Sequence, residues 1–311
     1  MLSIVIPCYN EEKTIPFFVT EVEKLSLKIN HSIEYIFIND GSKDQTLAVL
    51  RNLHETMPEK VRYISFSRNF GKEAGLYAGL QAAKGDLITV MDADLQDPPE
   101  LLPKMIEMIE TSDIDCVGTR REDRKGEPRI RSFFAKIFYK IINKMSNTEM
   151  VDGARDFRLM TRQMVDSILE VSEYNRFSKG IFSWVGFKTE YLSYENRERV
   201  AGDTSWNFWS LFKYSIDGII NFSEAPLNFA SIVGALSCLG AGIALIVIVI
   251  RTLIFGDPTS GWPSMVSIFL FVGGLQLLCL GIIGKYIGKI FLETKNRPIY
   301  IVKETEKSRK K

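Results

Sequence analysis

Residues 87–100 read LITVMDADLQDPPE, an apolar run that stops at a cluster of acidic side chains. The run, Leu87–Met91, is typical of a buried strand, and Asp92 and Asp94 follow it directly. Alternate residues of an extended segment point to the same side, so the two carboxylates can converge on one point. Close carboxylates repel one another unless a cation lies between them. Because oxygen ligands suit Mg²⁺ or Mn²⁺, the stretch predicts a divalent-metal site that bridges to a diphosphate. An ordinary acidic turn is the alternative.

Strand-like and helix-like segments alternate throughout the first two thirds of the chain. Further short apolar runs occur at Leu2–Ile6, Tyr35–Ile38, Val61–Phe66 and Ile114–Val117. Buried apolar strands that alternate with helices are typical of an α/β fold with a mostly parallel sheet covered on both faces. Ligands bind such sheets at the carboxyl ends of the strands. The polar clusters of this chain fall at those ends: Tyr9-Asn10-Glu11, Asp40-Gly41-Ser42 and Asp92-Ala93-Asp94.

The composition argues against several classes of function. The 311 residues carry a formal net charge of +1, which is not typical of a protein that binds nucleic acid over a broad surface. The histidines are His31 and His54, and the four cysteines lack C-x-x-C spacing, so a zinc site is not expected. The chain enters a strand at once, without a basic segment ahead of it, and we expect no cleavable signal peptide.

Two segments in the last third contain no charged residue, and each is about as long as a membrane-spanning helix. They are Phe229–Ile250 and Ser264–Gly284. Neither has the polar stripe of a surface helix, although a hydrophobic hairpin inside a globular core is the alternative. Residues 252–263 contain no Lys or Arg, whereas nine follow the second segment. The positive-inside rule therefore predicts that both termini lie in the cytoplasm.

Two further segments have the composition of helices that lie in the membrane interface. Residues 206–214 (WNFWSLFKY) are rich in aromatic side chains, and Arg131–Lys144 combines a basic face with an apolar one. For the second segment, an ordinary surface helix packed on its own domain is an equal alternative. We therefore predict four parts of the chain: an α/β domain at residues 1–205, an interfacial segment at 206–228, two transmembrane helices at 229–288 and a basic cytoplasmic tail at 289–311.

Five motifs follow one another in the first hundred residues: SIVIPCYNEE at Ser3–Glu12, NDGSKD at Asn39–Asp44, RNFGK at Arg68–Lys72, KGD at Lys84–Asp86 and DADLQDPPE at Asp92–Glu100. In this order they resemble the inverting family 2 glycosyltransferases, which have the GT-A fold. The nearest branch is that of the polyprenyl-phosphate glycosyltransferases, such as dolichol-phosphate mannose synthase and the bactoprenol glucosyltransferases. The resemblance covers nearly the whole chain, including the pair of apolar segments.

The resemblance implies a role for each matching position. Those that would bind the nucleotide-sugar are Pro7, Tyr9, Glu11, Asp40 and Lys72, and those that would organise the metal and the diphosphate are Asp92, Asp94 and Gln96. Asp94 and Asp156 would be the catalytic residues, with Asp156 on the acceptor side, and Arg199 would contact phosphate. Two positions depart from the pattern, because Ser205 stands where many relatives have Lys and Asn39 where a second Asp is common.

The expected acceptor differs chemically from an alcohol. A phosphate monoester has a second pKa of about 6, so it is mostly ionised at pH 7 and is already a nucleophile. We therefore expect Asp156 to position the acceptor, with proton acceptance as the alternative and a surface ion pair as the trivial one. The dense basic run at residues 120–131 supplies candidates for the acceptor phosphate, above all Arg120 and Arg131. A solvated loop that attracts anionic lipid in general is the alternative there.

Together these expectations predict inverting transfer of a sugar, with glucose from UDP-glucose as the first choice, to a polyprenyl phosphate such as undecaprenyl phosphate. The reaction would take place at the cytoplasmic face of a bacterial inner membrane and supply cell-surface glycan modification. The cofactor would be Mg²⁺ or Mn²⁺, and a homo-oligomer is compatible with two spans per chain. The alternatives are a processive polysaccharide synthase of the same superfamily and a non-catalytic membrane scaffold.

Overall fold

The computed structural model describes residues 1–121, 143, 151, 153–194, 216, 219–221, 223–255 and 261–308. The strands in these ranges are β1 (Leu2–Cys8), β2 (Ile33–Asn39), β3 (Val61–Phe66), β4 (Leu87–Val90), β5 (Cys116–Arg121), β6 (Ala154–Thr161), β7 (Thr189–Tyr194) and β8 (Val302–Thr305). The α-helices are α1 (Ile15–Leu25), α2 (Thr46–Thr56), α3 (Lys72–Ala82), α4 (Leu102–Thr111), α5 (Arg162–Glu170), α6 (Ser178–Trp184), α7 (Ala225–Phe255) and α8 (Trp262–Thr294).

The described strands form one sheet in the order β7-β5-β6-β4-β1-β2-β3-β8. The centre of the sheet is parallel, because β1 pairs in parallel with both β2 and β4, and β2 pairs in parallel with β3. β6 is antiparallel to both β4 and β5, and β8 is antiparallel to β3. The predicted α/β architecture with a mostly parallel sheet is confirmed.

Helices cover both faces of the sheet, as the continuous apolar strands require. Along β1, Ile4 and Ile6 face one side and pack in a core with Phe18 of α1. Val5 faces the other side and packs in a second core with Leu76 of α3. The strand is therefore buried on both faces, and its polar neighbours are left to the loops at its end.

The helices α7 and α8 are each long and apolar enough to cross a membrane. The two predicted apolar segments thus form helices, and that they span a membrane stays a prediction. The most apolar stretch of each helix has none of its residues buried, so neither is the core helix of a soluble domain. Leu253, for example, is 81% exposed and Phe269 is 77% exposed. A continuous apolar surface of this kind is typical of a site of membrane or protein contact. The two helices lie against one another where Cys279 Sγ of α8 donates to the Ala230 carbonyl oxygen of α7 (3.7 Å).

The C-terminal segment corrects the prediction of a basic tail at residues 289–311. Helix α8 continues to Thr294, and Val302–Thr305 adds a strand to the edge of the sheet beside β3. The carboxylate of Glu304, 7% exposed, accepts hydrogen bonds from Arg51 (2.8 and 2.5 Å) and from the Tyr63 hydroxyl (2.9 Å). The prediction was wrong for the strand because the partners of Glu304 lie more than 200 residues away in the sequence. It was wrong for residues 289–294 because the helix continues beyond its uncharged stretch.

The two predicted interfacial segments, Arg131–Lys144 and residues 206–214, lie outside the described residues, apart from Asn143. Their assignment stays a prediction.

Candidate active site

The antiparallel register of β6 brings two distant acidic residues together. Val90, the last residue of β4, lies opposite Arg158 of β6. Since the two strands run in opposite directions, the residues that follow β4 lie beside those that precede Arg158. Asp92 and Asp156 therefore come together beyond the end of β4, although 64 positions separate them in the sequence.

Lys72, the first residue of α3, lies between these two carboxylates. Its Nζ is 2.7 Å from Asp92 Oδ1, 2.9 Å from Asp92 Oδ2 and 2.6 Å from Asp156 Oδ2. Removal from water opposes the charge on Lys72, but Asp156 and then Asp92 outweigh this effect and raise the pKa of its ammonium group. The three side chains thus form one ion-paired cluster at the carboxyl edge of the sheet.

Asp156 is held in its ionised form. Burial alone would raise its pKa, but Lys72 and then Lys179 hold the pKa of Asp156 well below its usual range. The Nζ of Lys179 also donates to the carbonyl oxygen of Ala154, at the start of β6 (3.3 Å). A carboxylate with a lowered pKa binds protons weakly, so Asp156 is suited to holding a cation or orienting a group more than to accepting a proton.

The turn after Asp92 is strained. Leu95 has φ of 55°, a left-handed conformation that is uncommon for a residue with a branched side chain. Asp94, 6% exposed, accepts a hydrogen bond from the Gln96 main-chain N–H (3.1 Å), which closes the turn. Such outliers concentrate at ligand-binding and catalytic positions, in agreement with the roles that the sequence predicts for Asp94 and Gln96.

Arg155 supports this turn from β6, and sequence reasoning missed it. Its Nε donates to Asp97 Oδ1 (3.1 Å), and its Nη2 lies 3.5 Å from Gln96 Oε1. Asp97 also accepts a hydrogen bond from the Tyr194 hydroxyl. Through these two hydrogen bonds, Asp97 stabilises the turn. No local sequence signal distinguishes it from Asp92 and Asp94, which are the predicted metal ligands.

The oxygen atoms of Asp92, Asp94 and Gln96 are suited to bind a divalent cation that arrives together with a diphosphate. In the described part of the chain, no group of three or more His, Cys, Asp or Glu side chains is placed to hold a metal ion unaided. Mg²⁺ is commonly bound by one or two carboxylates together with substrate phosphates. Asp92, Asp94 and the amide oxygen of Gln96 supply oxygen ligands of this kind, and Asp92 also contacts the cation Lys72. The residues therefore fit the predicted Mg²⁺ or Mn²⁺, with the remaining ligands supplied by the substrate.

Asp40 organises the loop that leads into α3. Its Oδ1 accepts a hydrogen bond from the Phe70 N–H (2.6 Å) and its Oδ2 accepts one from the Gly71 N–H (2.9 Å). Burial raises the pKa of Asp40, and these two N–H groups oppose the shift. Asp40 thus positions the residue that precedes Lys72, in addition to the nucleotide-binding role that the sequence predicts for it.

The other predicted donor-site residues lie on and after β1. Pro7 is the second-to-last residue of β1. Tyr9 is the first residue after the strand, and 39% of its surface is exposed. The Glu11 main-chain N–H donates to Thr46 Oγ1 (2.8 Å), and this bond ties the loop after β1 to the start of α2. Because β1 lies between β4 and β2, these residues share the carboxyl edge of the sheet with Asp92.

Of the three arginines predicted to bind the acceptor phosphate, Arg120 lies within the described ranges. It lies opposite Ala154 in the pairing of β5 with β6, two residues from Asp156. Its Nε donates to Ser193 Oγ (3.0 Å), and its side chain is otherwise exposed. Arg131 and Arg199 lie outside the described residues, so their assignment to the acceptor phosphate stays a prediction.

Comparison with known proteins identifies the family. Residues 3–169 match the model of glycosyl transferase family 2. The putative glycosyltransferase CsbB of Bacillus subtilis (strain 168) is 43% identical over 98% of this chain and 92% of the relative. The prophage bactoprenol glucosyl transferase homolog of Escherichia coli (strain K12) is 42% identical over 98% of this chain and 99% of the relative. The bactoprenol glucosyl transferase of Shigella phage SfII is 41% identical over 98% of each chain.

The family match covers β1 to α5, and so includes Lys72, Asp92, Asp94 and Asp156. It agrees with the helix-covered, mostly parallel sheet, and the predicted GT-A fold is confirmed. The sequence motifs, the fold and the similarity over nearly the full length agree, and this chain belongs to glycosyl transferase family 2.

Proposed function

We propose that the protein transfers glucose from UDP-glucose, with inversion at the anomeric carbon, to undecaprenyl phosphate. The observation that carries the proposal is the similarity to proteins named bactoprenol glucosyl transferases, at 41–42% identity over 98% of this chain. That similarity extends through α7 and α8 and is not limited to the sheet domain. A polyprenyl acceptor explains why one chain combines a glycosyltransferase domain with two exposed apolar helices.

The donor would bind along the carboxyl edge of the sheet. Pro7, Tyr9, Glu11 and Asp40 would hold the nucleoside. Asp92, Asp94 and Gln96 would hold Mg²⁺ or Mn²⁺ and the diphosphate, and Lys72 lies beside them. The metal would stabilise the negative charge that builds on the leaving β-phosphate. Lys72 can place a second positive charge at the same position, because its ammonium group already contacts Asp92.

The acceptor would approach on the side of β6. An oxygen of the lipid phosphate forms the new bond to the anomeric carbon as the bond from that carbon to the UDP oxygen breaks, and UDP leaves. No proton has to be removed, because the phosphate is ionised at neutral pH. Asp156 would therefore act by orienting Lys72, and Arg120, Arg131 and Arg199 would hold the acceptor phosphate.

The helices α7 and α8 would anchor the protein in the bacterial inner membrane. The excess of Lys and Arg after α8, against none in residues 252–263, favours the orientation with both termini and the sheet domain in the cytoplasm. This orientation would place the site on the side where nucleotide-sugars are made.

The proposal is tested by incubating the purified protein with radiolabelled UDP-glucose and undecaprenyl phosphate, with Mg²⁺ or Mn²⁺ and with EDTA. We expect label in the organic phase that requires the metal and is lost in Asp94→Ala. The matched control is Asp113→Ala, because Asp113 is fully exposed and contacts only Lys188 at 3.6 Å among the described residues. Product that carries more than one glucose would favour a processive synthase. No transfer from any UDP- or GDP-sugar would refute the proposal.

A further inference from the structure

Asn175, in the segment between α5 and α6, forms hydrogen bonds to two residues near the end of α8 and to Asn221. Its main-chain N–H and its side-chain Nδ2 both donate to Glu293 Oε1 of α8 (3.2 and 3.3 Å). Its Oδ1 accepts a hydrogen bond from Lys289 of α8 (3.2 Å), and its carbonyl oxygen accepts one from Asn221 (2.6 Å). The Tyr174 N–H donates to the other Glu293 oxygen (3.0 Å).

Ser178, the first residue of α6, lies three residues after Asn175 and forms hydrogen bonds with the start of α3. The main-chain N–H and the hydroxyl of Ser178 both donate to Glu73 Oε2, the first at 3.0 Å. Glu73 follows Lys72 directly in the sequence. Glu73 is thereby tied to Lys72, whose Nζ contacts Asp156 (2.6 Å).

The residues between these two ends are tightly packed. Arg176 is 7% exposed, and its guanidinium donates to the carbonyl oxygens of Val171 and Ile168 and lies 4.5 Å above the ring of Tyr77 in α3. Phe177 is 2% exposed. A packed segment of this kind moves as a unit, so a displacement at Asn175 is expected to reach Ser178.

We propose that Glu293 and Asn175 are positioning residues for sugar transfer. Through the 174–178 segment, the end of α8 fixes Glu73 and so sets Lys72 against Asp156. The proposal rests on the proposed function, since a lipid acceptor arrives along the membrane helices while the donor lies on the sheet. The contact at Asn175 fixes the distance between these two parts of the enzyme.

A double-mutant cycle with Glu293→Ala and Ser178→Ala tests the coupling in the full-length enzyme. The two side chains have no common partner among the described contacts, so independent effects on kcat would multiply. We expect each change to lower kcat about 10-fold, with the KM for UDP-glucose unchanged, because displaced catalytic groups slow the reaction without weakening donor binding. We expect the double variant to be no slower than the slower single variant. Effects that multiply to about 100-fold would overturn the proposal.

The matched control is Lys295→Ala. Lys295 is two residues from Glu293, and its Nζ lies 4.1 Å from the centre of the Phe291 ring. Among the described contacts, its side chain makes none with the 174–178 segment. It should retain the kcat of the unaltered protein. Should Glu293→Ala fail to fold, Glu293→Gln keeps one acceptor oxygen and takes its place in the cycle.

Hydrogen exchange separates failure of this proposal from failure of the proposed function. If the unaltered protein makes no lipid-linked glucose, the proposed function fails, but the coupling can still be measured. Glu293→Ala should then speed amide exchange both in residues 174–178 and at the start of α3. Faster exchange confined to Tyr174 and Asn175 would show that the contact is only local and would overturn the proposal.

Discussion

Replacing Lys72 by methionine would remove the ammonium group that joins Asp92 and Asp156. Two unit charges about 4 Å apart attract by about 4 kcal/mol at an effective dielectric constant of about 20. The pairs in this site are closer, at 2.7 and 2.6 Å, but 34% of the Lys72 side chain is exposed and solvent screens part of the attraction. The same attraction would act between Lys72 and the negative charge that develops on the leaving phosphate. We therefore expect a loss of about 2–4 kcal/mol of transition-state stabilisation, which corresponds to a fall in kcat/KM of about 30- to 1,000-fold.

The assay is the steady-state rate of glucose transfer to undecaprenyl phosphate, with Lys72→Arg beside Lys72→Met. Lys72→Arg keeps the positive charge, so its kcat/KM should fall less than that of Lys72→Met. Lys188→Met is the control, because Lys188 is exposed and lies 3.6 Å from an exposed carboxylate. A value of kcat/KM for Lys72→Met within about threefold of the unaltered protein would refute the assignment of Lys72 to the reacting site, since it corresponds to less than about 1 kcal/mol.

The stability of Lys72→Met should depend on pH in a definite direction. Asp156 has a lowered pKa in the folded protein, so its ionised form stabilises the fold above the ordinary carboxyl pKa of about 4 and ceases to do so as the pH falls through the lowered value. Without Lys72, burial should raise the pKa of Asp156, because the positive charge that lowers it is gone. The deficit in thermal midpoint should be largest at about pH 6–8 and should shrink below about pH 4, as the Asp156 carboxylate of the variant becomes protonated. A deficit that grows on acidification would contradict this account.

Three further changes test the rest of the site. Asp156→Asn should lower kcat by the same factor at every pH from about 6 to 9, because Asp156 is ionised throughout that range; recovery at high pH would favour a proton-accepting role. Arg120→Ala should raise the KM for the lipid acceptor several-fold more than that for the donor, and equal effects in the same kinetic assay would remove Arg120 from the acceptor site. Gly41→Ala should lower the free energy of unfolding by about 1–3 kcal/mol in denaturant titration. The reason is that Gly41 has φ of 63° and an added Cβ would lie 2.4 Å from the Arg68 carbonyl carbon; an unchanged midpoint would show that the loop can move.

Local patterns in the sequence were sufficient for the strands of the parallel half of the sheet and for the apolar helices. Apolar runs such as Leu2–Ile6 and Leu87–Met91 are continuous because a strand buried on both faces has no polar side. This pattern can be recognised from consecutive residues alone. The same holds for α7 and α8, whose length and lack of charge match the thickness of a membrane. Motif order then indicated the family and the residues of the donor site.

The partners of these residues were decided by the tertiary structure. Asp92 meets Asp156 because β6 inserts antiparallel to β4, and strand pairing depends on contacts between residues far apart in sequence. For the same reason the sequence did not predict that Arg155 would neutralise Asp97 or that β8 would join the sheet. The hydrophobic pattern is a local property that each segment carries by itself. Which strands pair with one another depends on the free energy of the whole packed chain, so these pairings are known only from the tertiary structure.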